Sequence, residues 1–263
     1  MFASLDRADA RMSPEDGRTR LVLTDHRDAE EVEASRDLSI LFAMIRVLRA
    51  RRMDDTKPIV FYYAPGELPD FLVEAVKAAG GRVVIGEDPR AWTDITDRVS
   101  HPRDTITIVT EAMENLAHRV AREAGVPLDH AGLATFERTC LRSTLEDDEI
   151  DVDIDMDEDE EIPDEDEEEE EDSDESDGGV ARWTAIVSVA AFASEILRNE
   201  VTSRWILDED GSDSFPFRLE CVAGNKEMAI NLLGKGVKLR DNGIEDSLAF
   251  LVSTVLTLVR AAD

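Results

Sequence analysis

Only two cysteines occur in the 263 residues, Cys140 and Cys221. That scarcity excludes a disulfide-stapled scaffold, and both thiols are expected reduced and largely buried. The first residues, MFASLDRADARMSPEDGR, carry early charges and no apolar core of signal-peptide length. The longest apolar stretches, such as Ala185 to Ala193, fall well short of a membrane span. A cytoplasmic protein is the resulting expectation. Histidine is scarce too: His26, His101, His118 and His130. HExxH, paired Cys/His spacing and GxSxG are all missing, so zinc-peptidase and serine-hydrolase readings have no footing. No glycine-rich loop follows a strand and opens a helix. Gly80-Gly81 instead precedes a strand, and the Gly234-Lys235-Gly236 run lacks the phosphate-loop spacing. Nucleotide binding is therefore not indicated, and no cofactor is expected beyond a divalent ion.

Basic residues are missing altogether from Glu146 to Asp177, where 24 of 32 positions are acidic. The formal net charge of the chain is -32, and -24 of it belongs to this run. Residues 1–145 carry a net of -5 and residues 178–263 a net of -3. The low isoelectric point thus describes a segment and not a fold. Like charges lie within the Debye length of about 8 Å, so the segment repels itself and is expected disordered. Fully stretched, it could reach roughly 110 Å. Within it, Ile150, Val152, Ile154 and Met156 alternate with Asp151, Asp153, Asp155 and Asp157. An extended chain places the apolar and the acidic side chains on opposite faces. Such a strip could add a strand to the edge of a partner sheet rich in Lys or Arg, which makes residues 150–157 the candidate partner-binding segment. An EF-hand loop starting at Asp151 or Asp153 lacks the required sixth-position glycine, so no sharp calcium site is expected. Direct nucleic-acid binding by the run is disfavoured by charge. It could instead occupy a basic protein surface or fold back on the arginine cluster from Arg46 to Arg52.

The first flank alternates strand and helix signals. After a loose tail over 1–18, strands are expected at 20–24, 58–63, 82–85 and 105–109, with helices at 37–52, 69–79 and 111–124. The strands read as continuous apolar runs, which indicates a mostly parallel sheet in a three-layer, Rossmann-like α/β domain spanning 19–145. Ligands in such folds gather beyond the carboxyl ends of the strands. Four carboxylates fall there in this reading: Asp25, Glu67, Glu87 and Glu111. If they converge, Mg²⁺ or Mn²⁺ is the natural guest; acidic residues also favour first helical turns for dipole reasons alone. Residues 105–136 resemble the closing strand–helix–strand part of restriction-endonuclease-like (Mrr-type) domains, and fit a Rossmann-like unit equally. The resemblance implies an upstream Asp…Glu/Gln-x-Lys pattern. The only upstream lysines are Lys57 and Lys77, and none follows Glu87 or Asp88 at that spacing. Nuclease chemistry would then be lost.

Beyond a linker over 146–179, residues 180–263 read as a smaller α+β domain of α-β-β-β-α plan. A helix spans 180–201, strands 203–207, 215–222 and 227–232, and a closing helix 244–261. Trp205 is expected in the core and Glu195 as a cap or surface residue. Lys235, Lys238 and Arg240 make a small basic cluster. The segment FASEILRNEVTSRWILDED and then INLLGKGVKLRDNGIEDSLAFL resemble small bacterial helix–hairpin–strand–helix domains. That resemblance implies a fold and no activity.

Three classes of function stay open. One is a non-enzymatic interaction, adaptor or inhibitor protein whose acidic segment engages a basic protein surface. Another is a divalent-metal-dependent α/β enzyme acting on a phosphate-bearing substrate. The last is a structural assembly component with the run as a spacer. No membrane partner is indicated, and homo-oligomerisation is left open.

Overall fold

The computed structural model describes residues 9–12, 19–52, 58–85, 93–94, 103–146, 175–208, 215–224 and 226–262. Its first half contains a five-stranded sheet in the order β1 (Asp9–Met12), β2 (Thr19–Thr24), β3 (Ile59–Ala64), β4 (Arg82–Ile85) and β5 (Thr93–Asp94). The three central strands run parallel, and the two edges pair antiparallel. Part of the expected tail is therefore an edge strand, Asp9–Met12, opposite Thr19–Val22.

Helix α1 (Ala29–Ala34) starts from a capping box, in which Asp28 accepts from the Glu31 N–H and Glu31 reaches back. Helices α2 (Arg36–Arg52) and α3 (Asp70–Ala78) are the crossovers between the parallel strands. Strands in sequential order with right-handed crossovers place both helices on one side of the sheet. The side chains follow that geometry with period two. Leu21, Leu23, Val60, Tyr62, Ala64 and Val83 join the main core with the helices. Val22, Phe61, Tyr63 and Val84 face the other way in a separate small cluster. Among the described residues that second cluster contains strand residues only. The three-layer expectation is met on one face.

The largest departure from the sequence reading lies at 105–109. The run Thr105-Ile106-Thr107-Ile108-Val109 favours a strand by its β-branched content. It is instead the first turn and a half of α4 (Thr105–Glu123). Asp104 caps it, accepting from the Ile106 and Thr107 N–H groups. The buried positions 108, 109, 112, 113, 116, 117, 120 and 121 form one continuous helical stripe, and packing of that stripe overrides local propensity. The strand–helix–strand reading of 105–136 fails at its other end too. Asp129 accepts from Gly132 N–H at 2.9 Å and opens α5 (His130–Glu146), which contains no strand.

The second half begins with α6 (Glu175–Glu200). It runs through Gly178-Gly179 and so begins before the helix start expected at residue 180. A separate antiparallel sheet follows: β6 (Ser203–Leu207), β7 (Phe217–Ala223) and β8 (Lys226–Ile230), in that order. On β7, Phe217, Leu219, Cys221 and Ala223 are buried while the residues between them are half-buried, a one-sided alternation. Trp205 is buried as expected. A helix absent from the sequence reading, α7 (Leu232–Asn242), is capped by Asn231. Its glycines conceal it. Gly236 is needed for close approach, because a Cβ there would come within 3.0 Å of the Ile186 Cγ2. A 3-10 turn over Gly243–Asp246 leads into α8 (Leu248–Ala262).

Buried residues of both halves form one continuous cluster. Its centre is the packing of α4 on α6, with α5 against α6 and α8. No described helix is long and apolar enough to cross a membrane.

Candidate functional site

Beyond the end of β2, Asp25 is almost fully buried. Its carboxylate is gripped by Arg27, with Nε at 2.9 Å and Nη2 at 2.7 Å, and by the Tyr62 hydroxyl. The Arg27 backbone N–H adds a third donor from the same residue at 3.1 Å. Arg27 Nη1 continues to Ser39 Oγ on α2 at 2.7 Å. Burial alone would raise the Asp25 carboxyl; the Arg27 guanidinium and the Tyr62 hydroxyl outweigh it and hold the pKa below the usual range. Burial, then the adjoining carboxylate, push the Tyr62 hydroxyl upward. Arg46 is also buried and donates to the Thr24 carbonyl at 3.3 Å. The strand end thus holds a charge-compensated polar knot whose carboxylate lone pairs are already engaged.

The other predicted carboxylates are placed differently. Glu67 is exposed on the loop before α3. Glu87 lies outside the described residues. Glu111 sits at no strand end, because the preceding segment is helical; it pairs with Arg103, which also holds Glu74 of α3 at 3.0 Å. Among the described residues, Asp25, Glu67 and Glu111 do not gather their oxygens into one cluster.

A different trio does gather. Glu114 and His118 stand one turn apart on α4, and Glu195 faces them from α6. One ligand atom from each lies within 4.8 Å of the other two. Glu195 is buried, contrary to the expectation of a cap or surface residue, while His118 is 59% exposed. Arg198 Nη1 donates to Glu195 Oε2 at 2.9 Å and approaches Glu114 Oε2 at 3.4 Å. The helical Glu-x-x-x-His spacing was visible in the sequence. Its partner was not, because Glu195 is 77 residues beyond His118.

The basic clusters are largely committed. Arg51 donates to the Ala79 carbonyl at 2.9 Å, closing the end of α3. Lys235 pairs with Asp246, and Arg240 with Asp241 at 2.5 Å. Cys140 and Cys221 are free thiols, and burial pushes them up to about 12 and about 11. That favours the neutral thiol over the thiolate at neutral pH.

The acidic run meets the fold at α5 and α6. Phe136 of α5 stacks on Phe192 of α6, with ring centroids 5.6 Å apart. Further along, Cys140 and Leu141 share a small apolar cavity with Ala185, Ile186 and Val189. Numbers rise on one helix as they fall on the other, so the pair is an antiparallel hairpin. Glu146 and Glu175 therefore leave from the same end of it. The connection between them, residues 147–174, holds 21 carboxylates and lies outside the described residues, as does the candidate segment 150–157. No family model, curated protein or solved structure matches the chain.

Proposed function

We propose that the protein is a non-enzymatic interaction or adaptor protein that presents residues 147–174 as an anionic loop to a basic protein surface. One observation carries the reading: the helices that this loop joins already pack on each other. Antiparallel helical neighbours need a connection of about 2–8 residues, whereas this one has 28. A spacer would hold separate bodies apart, yet α5 and α6 are in contact. The extra length is better understood as a binding element whose two ends are fixed by the hairpin.

Anchoring both ends lowers the entropy lost when the loop is ordered by a partner. Its charge attracts Lys- and Arg-rich surfaces at long range and is screened by salt. The apolar alternation at Ile150, Val152, Ile154 and Met156 supplies short-range contacts on the other face of the strip. The enzyme reading finds less support, since the Asp25 carboxylate is already neutralised by Arg27 and bonded to Tyr62.

The test replaces residues 147–174 with a Gly/Ser loop of equal length in the full chain. Basic protein partners captured at low salt should be lost with the replacement, and lost from the native chain as salt rises. A replaced chain that keeps the same partners would reduce the run to a connector.

A further inference from the structure

We propose that Glu114, His118 and Glu195 form a binding site for a divalent transition-metal ion, with Zn²⁺ as the probe, which clips the two halves of the chain together across α4 and α6. The site is separate from the acidic loop and does not depend on the role assigned to that loop.

The distance between His118 Nε2 and Glu195 Oε1 is 3.9 Å. That is too long for a hydrogen bond. It falls within the span of two ligands on one ion with bonds of about 2.0–2.2 Å, which is roughly 3.4 Å at a tetrahedral angle and about 4.3 Å at most. Glu114 completes a three-residue face, because the i, i+4 spacing on α4 sets it beside His118.

The two oxygens of Glu195 have different surroundings. Oε2 accepts from Arg198 at 2.9 Å, whereas Oε1 faces His118 and accepts a longer bond from the Asn199 amide at 3.3 Å. Arg198 Nη1 bonds Oε2 of both Glu195 and Glu114, so it holds the two carboxylates side by side as an outer partner while Glu195 Oε1 stays turned to His118. Two carboxylates and one guanidinium leave a net charge of -1 around a neutral imidazole, so a divalent ion is electrostatically acceptable. A mixed imidazole and carboxylate set suits Zn²⁺ better than Mg²⁺ or Ca²⁺. Access is open, since the His118 and Glu114 side chains are 59% and 46% exposed. Positions left on the ion would be filled by water. Because α4 belongs to the first half and α6 to the second, an ion here would stabilise their packing in proportion to its occupancy.

The experiment titrates Zn²⁺ into the full chain in excess Mg²⁺, which occupies the carboxylates of the acidic run with a harder ion. Binding is read by calorimetry and by the imidazole NMR signal of His118, and stability by thermal midpoint. One tight equivalent, a shifted His118 resonance and a raised midpoint are expected. His118→Ala alters an exposed side chain and should leave the fold intact while weakening Zn²⁺ binding at least about tenfold; Glu195→Gln should do the same. Two results would each overturn the site: no equivalent above the Mg²⁺ background, or an equivalent that His118→Ala leaves unchanged, meaning that the acidic run takes the ion.

Discussion

The two sheets use the same ion-pair chemistry in opposite settings. In the parallel sheet, Asp25 and Arg27 are buried at the end of a central strand, with side-chain exposures of 2% and 5%. In the antiparallel sheet, Arg204 pairs with Glu220 at 2.6 Å across β6 and β7, but the Arg204 side chain is 71% exposed. Desolvation separates the two. A buried charge without its partner costs several kcal/mol, whereas an exposed pair trades contact for hydration almost evenly. The parallel sheet has thus turned a polar group into a structural obligation, while the antiparallel sheet uses its pair only to finish a solvent face.

That contrast can be broken most directly at Asp25. Asp25→Ala leaves the Arg27 guanidinium and the Tyr62 hydroxyl buried without their acceptor. It should cost about 3–5 kcal/mol in denaturant unfolding, and a loss below about 1 kcal/mol would show that water relaxes the site. The pH dependence has a definite sign. The folded carboxyl is held below its ordinary value of 3.8, so its contribution is complete above that value. It fades as pH falls through the folded pKa. Asp25→Asn should therefore flatten the acid limb of stability measured below about pH 4.

The link between the halves offers the next largest effect. Glu137 of α5 is fully buried and accepts from Ser247 Oγ at 2.7 Å and from the N–H groups of Leu248 and Ala249 at the start of α8. A carboxylate from the first half thus caps a helix of the second. Glu137→Ala should cost about 2–3 kcal/mol by orphaning those donors, with protection against amide exchange falling at the start of α8. Unchanged protection there would mean that α8 docks by its apolar face alone.

The smallest effect belongs to the exposed pair. Arg204→Ala should change stability by less than about 1 kcal/mol, and less again at high salt. A larger loss would place that pair in the same class as Asp25 and Arg27 and erase the contrast.

How much of this was legible in sequence depended on whether the signal was local. The β2, β3 and β4 runs were readable because strands buried on both faces are continuously apolar. Strand β7 was readable because a one-sided strand alternates. Thr105 to Val109 misled because five β-branched residues outweigh a single cap when read locally, whereas α4 is decided by where its stripe packs. Helix α7 escaped because Gly234 and Gly236 read as breakers, yet Gly236 lies against Ile186 of α6 and Gly234 donates its N–H to the Asn231 cap. Of the four carboxylates proposed at the strand ends, Asp25 lies just beyond β2 and Glu67 in the loop beyond β3, but among the described residues they share no cluster. The preference of carboxylates for helix starts explains why acidic residues recur in such positions without sharing a site.

The sequence alone determined the charge partition and the apolar periodicities that commit segments to a core. These are properties of composition and of short-range spacing. Only the tertiary structure decided that α5 and α6 form a hairpin, that Glu137 reaches α8, and that Glu195 meets Glu114 and His118. Each of those joins residues dozens of positions apart, and such meetings arise from the packing of whole apolar faces, which no local pattern encodes.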